Sequence, residues 1–497
     1  MLKALSYITM AVIMIMLPMA IAYGEEDTVS RKVSESTVDV LIESVESLKP
    51  GETPPALSME DCLSIALKKN RHRQVSALGI RIAEYQHKQA LSAYWPELSM
   101  NSAISRTDED VNFVFPEETS NYDIMGMQVP VTVPEKNIKV VDRDKVVGAL
   151  EMSVPLYTGG IRSAIALQAE LGVEAARLSS RRTDLQLIYD VKKIYYGAVL
   201  AEILHKTGKN TLARLEATLD LTEQLYKRGS GAVTRADYLK SKVIVESTRS
   251  MVSLIEANRN VSRAALVNTM GLPWNSHFDL AEESIPFRPS QEDVGTLVNA
   301  SYRFNPDWKR LQTALDVAEA QIREKKGERL PKLMLTGTMW KMHSSYDGGI
   351  ETDENTDGWK VVLGMQIPLF NGFLTTNKIR EARSRLSKLE QQQILLKEGI
   401  ALQINHIFLM MKGFQNQHAA SQEAALSARE NRELNIRAYE SELVETDDVI
   451  EAQLMESFMS AQHHRARFNV AEAQFHLDFL VGNEIEKMLG ETQYDDH

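Results

Sequence analysis

Six carboxylates crowd the stretch YESELVETDDVIEAQ (439–453): Glu440, Glu442, Glu445, Asp447, Asp448 and Glu451, with no lysine or arginine among them. Carboxylates at this density repel one another, so they imply a counter-charge, either a cation or a basic surface. Asp448 and Glu451 are three residues apart and share a face if the segment is helical. A second stretch, YKRGSGAVTRADYLKSK (226–242), has the opposite sign, with Lys227, Arg228, Arg235, Lys240 and Lys242 against the single Asp237.

No other constellation carries chemistry. The sequence holds no zinc-protease helix motif, no phosphate-cradling glycine loop and no nucleophile elbow, so neither an enzyme nor a cofactor or metal site is expected. His463 and His464 are adjacent, point apart on a helix, and read as exposed histidines on a solvated face. DENTDG (353–358) imitates the start of a calcium loop, but its twelfth position is Gly364 rather than glutamate. The 21 methionines are scattered, as packing residues are. Cys62 is the only cysteine and reads as a packed apolar residue.

The elements that position the charged stretches belong to an exported chain. Its 497 residues are 43% hydrophobic and 25% charged, enough for a core, and its net charge of −12 argues against nucleic acid as a partner. Lys3 precedes an apolar run, residues 4–22, that closes on Ala20-Ile21-Ala22 and is followed by Glu25, Glu26 and Asp27. That is the form of a cleaved signal peptide, 1–22, the alternative being an uncleaved anchor. Beyond it no uninterrupted apolar run reaches the ~18 residues of a membrane-crossing helix.

A duplication organises the rest. Asn70, Ala83, Pro96 and Leu98 recur 235 residues later as Asn305, Ala318, Pro331 and Leu333, while LEMSVPLYTGG (150–160) recurs 213 residues later as LGMQIPLFNGF (363–373). Tyr226 and Tyr439 are likewise 213 apart. Each copy reads as a helix (58–94 or 292–329), two strands (98–106 and 146–155, or 333–343 and 359–370), and a long helical hairpin (159–270 or 372–480). Trp95, Trp340 and Trp359 fall at strand ends, where interfacial aromatics sit. Between the strands lie polar, turn-rich stretches, 107–145 and 344–358. The implied layout is an acidic linker (23–56), a first repeat (57–275), an equatorial connection (276–291), a second repeat (292–482) and a tail (483–497). The strands have the ~9–11 residues that cross a bilayer when tilted. Four strands leave open edges that a membrane does not tolerate, so closure requires several chains.

The junctions ALKKN…YWPEL and RFNP…RLPKL, the motifs VPLYTGG and IPLFNGF, and the paired tips, in this order, resemble the TolC family of outer-membrane efflux proteins over residues 57–482. The resemblance implies a mainly α fold with a membrane β-barrel portion. Long helical hairpins would form an α-barrel, and four strands per chain would close into one β-barrel in a homotrimer. It places the protein in the outer membrane, among its lipid, with a tunnel into the periplasm. Its partners would be a periplasmic adaptor and an inner-membrane pump. The alternatives are a duct of a type I protein or peptide secretion system, and a periplasmic coiled-coil scaffold without a barrel. The family's pore carboxylates fall on Asp448 and Glu451. Its tip-gating network falls on Tyr439, Asp237 and Asp447, with Arg228 and Arg235 as substitutes for a gating arginine, since Val444 stands where the best-known member has one. Adaptor or pump contact falls on Gly229, Gly231, Thr234, Glu442, Val444 and Thr446. Glu442 departs from the glycine of many members.

Overall fold

The computed structural model describes residues 32–46, 53–109, 111–141, 143–229, 233–288, 292–344 and 357–484. The expected signal peptide, Gly231, most of the calcium-like DENTDG segment and the end of the tail lie outside the described residues. In chain order the elements are α1 (Lys32–Glu46), β1 (Ala56–Leu57), α2 (Met59–Lys69), α3 (Arg71–Ser92), β2 (Glu97–Arg106), β3 (Val111–Phe115), β4 (Glu118–Ile124), β5 (Met127–Val133), β6 (Lys136–Val141) and β7 (Asp144–Tyr157). They continue with α4 (Ile161–Lys227), α5 (Arg235–Met270), β8 (Asp279–Leu280), α6 (Val294–Phe304), α7 (Pro306–Gly327), β9 (Lys332–Ser344), β10 (Asp357–Gln366), α8 (Leu374–Glu440) and α9 (Thr446–Val481). The chain divides into two compact units, Met1–Asn70 with Asp190–Pro286 and Ala420–Phe468, and Arg71–Tyr189 with Phe287–Ala419 and Asn469–His497.

In the first unit, part of the expected linker 23–56 is the helix α1. Its apolar residues Val38, Leu41, Ile42 and Val45 recur at helical spacing. Ile42 and Val45 are buried, while Asp39 and Glu46 pair with Lys68 and Lys69 of α2 at 2.7 and 3.1 Å. The connection 276–291 contributes β8, which pairs in parallel with β1. Tyr195, fully buried on α4, donates its hydroxyl to the Leu57 carbonyl oxygen at 3.0 Å and so fixes β1 to the helix.

The helices expected over 58–94 and 292–329 are each broken, at Asn70 and Asn305. Both asparagines adopt extended backbone, with ψ of 130° and 122°. Within the first unit, Asn70 Nδ2 donates to the Thr269 carbonyl at 2.7 Å. Gly271 ends α5 in the left-handed region, φ 76°, where a Cβ would lie 2.7 Å from the Lys69 carbonyl oxygen. Within the second unit, Asn305 Nδ2 donates to the Leu480 carbonyl at 2.8 Å. Its Oδ1 accepts from the Asp307 and Trp308 amides at 2.9 and 3.2 Å, capping α7 at Pro306. The side chain of asparagine competes with helical backbone bonds, and Pro306 disfavours helix at the residue before it. Asn305→Ala removes this cap and leaves the buried Leu480 carbonyl unpaired. It should cost about 2–4 kcal/mol, seen as a lower urea midpoint at unchanged slope.

The second unit holds a four-stranded antiparallel sheet in the order β10-β9-β7-β2. Its register aligns Met100 with Leu150, Leu150 with Met339 and Met339 with Trp359, an apolar row on one face; the next row on that face, Ser102, Gly148, Lys341 and Asp357, is polar. The other face carries Asn101, Glu151, Thr338 and Lys360. Trp359 lies on the apolar face, 73% exposed. Trp340 does not: it pairs with Ala149 and Gly358, which places it on the face that carries Asn101 and Glu151. β10 ends at Gln366, short of the expected 370, because Pro368 cannot extend the ladder. The stretch 107–145, expected as polar turns, folds instead into two further ladders, β3 with β6 and β4 with β5.

By length and composition α8 is, among the described helices, one that passes for a membrane-crossing helix, where the sequence suggested none. Its apolar residues divide between two faces. Ile400, Ile404, Phe408 and Met411 are buried against Leu477 and Leu480 of α9. Leu395, Leu402 and Leu409 recur every seven residues and are 66, 69 and 58% exposed.

Candidate functional site: the hairpin tips

The two hairpins turn by related devices. Gly229 adopts φ 72° and its amide donates to the Tyr226 carbonyl at 3.1 Å; Glu442 adopts φ 57° and donates to the Tyr439 carbonyl at 2.9 Å. A glutamate in this region costs about 1–2 kcal/mol that the glycine does not. Both returning helices then start on an aspartate. Asp237 Oδ2 accepts from the Thr234 amide and hydroxyl at 2.8 and 2.7 Å, and the Thr234 hydroxyl accepts from the Asp237 amide at 3.3 Å. These bonds from Thr234 hold the Asp237 carboxyl below its ordinary range. Its support of α5 is therefore present at neutral pH and is lost only as the pH falls through that lowered value. In the second tip Asp448 Oδ2 accepts from the Glu445 amide at 3.1 Å. The connection 441–445 is two residues shorter than 228–234. Asp448 is therefore the structural counterpart of Asp237.

Polar and apolar contacts join the hairpins to each other. Tyr439, 4% exposed, places its hydroxyl 2.8 Å from Thr222 Oγ1 and 2.9 Å from Thr446 Oγ1. The Thr222 hydroxyl donates to the Thr218 carbonyl at 2.7 Å, so Tyr439 donates to Thr222 and Thr446 donates to Tyr439. Gln453 Nε2 extends the line to Thr218 Oγ1 at 2.9 Å. Further from the turn, Arg214 donates to Glu456 at 2.6 Å, with Arg432 on the same carboxylate at 3.8 Å. Where the side chains are exposed, Lys240 pairs with Asp447. The hydrogen bond to Asp447 raises the Lys240 ammonium above its ordinary value, so the pair is lost on that side only as pH rises through it. Leu225, Val233, Tyr439 and Val449 close an apolar cluster around the hydroxyl chain, with half-buried Val444 against it.

Asp448 and Glu451 are both exposed on α9, whereas Val449, Ile450, Ala452 and Gln453 between and beyond them are buried. Glu451 also borders an open groove with Lys240, Ile244, Leu454, Met455 and Phe458. Arg228 and Arg235 are exposed, and among the described residues neither pairs with a carboxylate; the inter-hairpin ion pairs use Lys240 and Arg214 instead. Thr234 caps α5, Thr446 is buried in the hydroxyl chain, and Gly229 and Glu442 form the turns. The sequence reading did not single out Thr218, Thr222, Gln453, Arg214 or Glu456. A signal was present in α4, where Thr207, Thr211, Thr218 and Thr222 fall on one helical face and the last three are buried.

His463 and His464 are half-buried rather than solvated, with rings 5.3 Å apart, and burial lowers both below the ordinary histidine value. Among the described residues no group of histidine, cysteine and acidic side chains is arranged to hold a metal. Cys62 is buried, and burial together with Asp61 raises its thiol well above the ordinary range, which leaves it unreactive.

The chain is 25% identical over 253 residues to the alkaline protease secretion protein AprF of Pseudomonas aeruginosa, covering 50% of this chain and 51% of that protein. It is 23% identical over 321 residues to nodulation protein T of Rhizobium leguminosarum bv. trifolii, covering 63% and 67%. Among solved structures, the outer membrane protein VceC of Vibrio cholerae superposes with a TM-score of 0.67 at 15% identity, covering 85% of this chain and 96% of that one. The family model described as outer membrane efflux protein matches residues 62–272 and 297–483, most of both repeats. The chain belongs to the outer membrane efflux protein family.

Proposed function

We propose that three copies of this chain form a passive exit duct of a tripartite efflux system, without catalysis, receiving substrate from an inner-membrane pump through a periplasmic adaptor. The observation that carries the reading is the sheet β10-β9-β7-β2, which bears an apolar band on one exposed face and Asn101, Glu151, Thr338 and Lys360 on the other, and which among the described residues is unpaired at both edges. In a bilayer those edges must pair, and β2 of one copy pairs with β10 of the next until the ring closes. The apolar face meets lipid and the polar face lines a lumen wide enough for solutes, since barrels of about eight strands are filled by their own side chains. The exposed heptad stripe Leu395, Leu402 and Leu409 of α8 gives neighbouring copies a coiled-coil contact. Fractionation tests the placement: the protein should follow the outer membrane and need detergent for release, whereas recovery from the soluble periplasm would leave the scaffold reading instead.

At the tips, the contacts between hairpins hold the entrance narrow, and the exposed Asp448 and Glu451 line it as carboxylate rings. Asp448→Asn with Glu451→Gln keeps an oxygen for the Glu445 amide while removing both charges. Cation preference in planar bilayers should fall several-fold; selectivity unchanged from wild type would remove these residues from the pore. A secretion duct is favoured by the similarity to the alkaline protease secretion protein, and the adaptor that crosslinks to the tips decides between the two cargo classes.

A further inference from the structure

β2 and β7 do not stop at the sheet. The Thr107 amide donates to the Arg143 carbonyl at 3.0 Å, and the two arms continue as β3 with β6 and then β4 with β5. The ribbon closes at Met125 and Gly126, both left-handed at φ 58° and 83°, with the Gly126 amide on Asp123 Oδ1 at 2.9 Å. Its register sorts the side chains. Ser120 opposite Val131, Tyr122 opposite Val129, and Ile124 opposite Met127 share one face; Thr119 opposite Thr132, Asn121 opposite Pro130, and Asp123 opposite Gln128 share the other. The first face is therefore apolar along its outer half, yet Tyr122, Ile124 and Met127 are 56, 55 and 71% exposed.

A two-stranded ribbon is marginal in water, and one that also presents an apolar face needs a cover. We infer that the cover is the same face of the other copies, so that the ribbons of one trimer pack together beyond the barrel into a collar around its exit. This rests on the trimeric reading above. One arm of the ribbon grows from β2, the sheet edge that pairs with a neighbour in that trimer, so the ribbon rises beside the seam between copies. Tethered to one ring, the ribbons meet at an effective concentration of about a millimolar, which suffices for contacts too weak to form between free molecules. Residues 107–145 carry nine acids and four bases, a balance that disfavours an anionic lipid surface as the occupant. Pro116, Pro130 and Pro134 interrupt the ribbon's edges, so the copies meet by faces rather than by extending a sheet.

Cysteine crosslinking in intact outer membranes tests the collar, in a Cys62→Ala background. Under mild oxidation Val129→Cys and Val131→Cys should each give a disulfide-linked dimer band, whereas Asn121→Cys and Thr132→Cys on the polar face should not. Replacing residues 116–135 by Asn-Gly should leave the native mass trimeric and raise single-channel conductance about twofold, because the exit constriction is gone. A trimer in which the apolar-face cysteines stay uncrosslinked and react with maleimide as fast as the polar-face ones overturns the collar alone. Labelling of Val129→Cys by a lipid-borne probe does so too, in favour of the membrane. A monomeric native mass in the full-length protein overturns the trimer and the collar with it.

Discussion

Tyr439→Phe should open the tip. The substitution keeps the ring in its cluster with Leu225, Val233 and Val449 and removes only the hydroxyl that links Thr446 to Thr222. Both threonine hydroxyls are buried there, so neither recovers the lost bond from water. The cost of such an unsatisfied buried pair is about 1–2 kcal/mol, which shifts a closed-to-open ratio by roughly 5–30-fold. Open probability of single channels in planar bilayers should rise accordingly. Tyr226→Phe is the internal control. That residue holds the equivalent position in the first tip, but it is 40% exposed and stacks on Tyr238 at 6.3 Å. Its loss should leave gating unchanged. If both variants gate alike, the hydroxyl chain is not the tie.

Glu456→Ala should be the more damaging change to stability. Glu456 is 16% exposed and receives Arg214 and Arg432, themselves 29 and 14% exposed. Burial lowers the Arg214 guanidinium from its ordinary value, with Arg432 adding to this and Glu456 opposing it. Removing the carboxylate leaves two half-buried guanidinium groups facing each other, a loss of about 3 kcal/mol at this degree of exposure. Melting should begin at lower temperature, with trypsin cutting first in the hairpins. Glu456→Gln retains an acceptor and should recover part of the loss, which separates charge from shape.

Much of this was legible in the residues. The offset of 213 between LEMSVPLYTGG and LGMQIPLFNGF marked both strand-to-helix junctions, and the observed strands run within a few residues of the expected ones except at Pro368. The misses have local causes. Asn70 and Asn305 break helices through their side chains, a signal weaker in sequence than the prolines that were read as stops. MQVPVTV (127–133) alternates at a period of two, but Pro130, the flanking Pro116 and Pro134, and the surrounding acids gave 107–145 the look of a polar loop. Trp340 was placed by its position at a strand end, whereas its face follows from a parity that only the register fixes. At the tips, the constant offset suggested that the second turn copies the first. Two residues are missing there, and this moves the capping role to Asp448, a residue otherwise singled out for its charge. Lys240 sat in plain view among the basic residues of the first tip, but which of them meets an acid depends on how far α5 has rotated by that point.

The asparagine ties bear on how the chain is delivered as well as how it stands. Asn70 meets a carbonyl 199 residues downstream, and Asn305 meets one 175 residues downstream. Each tie closes a loop that contains one whole helical hairpin and its pair of sheet strands, and the two loops do not overlap. The first can be sealed as soon as residue 271 has emerged, while the second repeat is still in transit. The chain thus reaches its halfway mark with one loop already shut and β2 paired to β7, so that only the β9 edge of that strand pair and the contacts between hairpins wait for the second half.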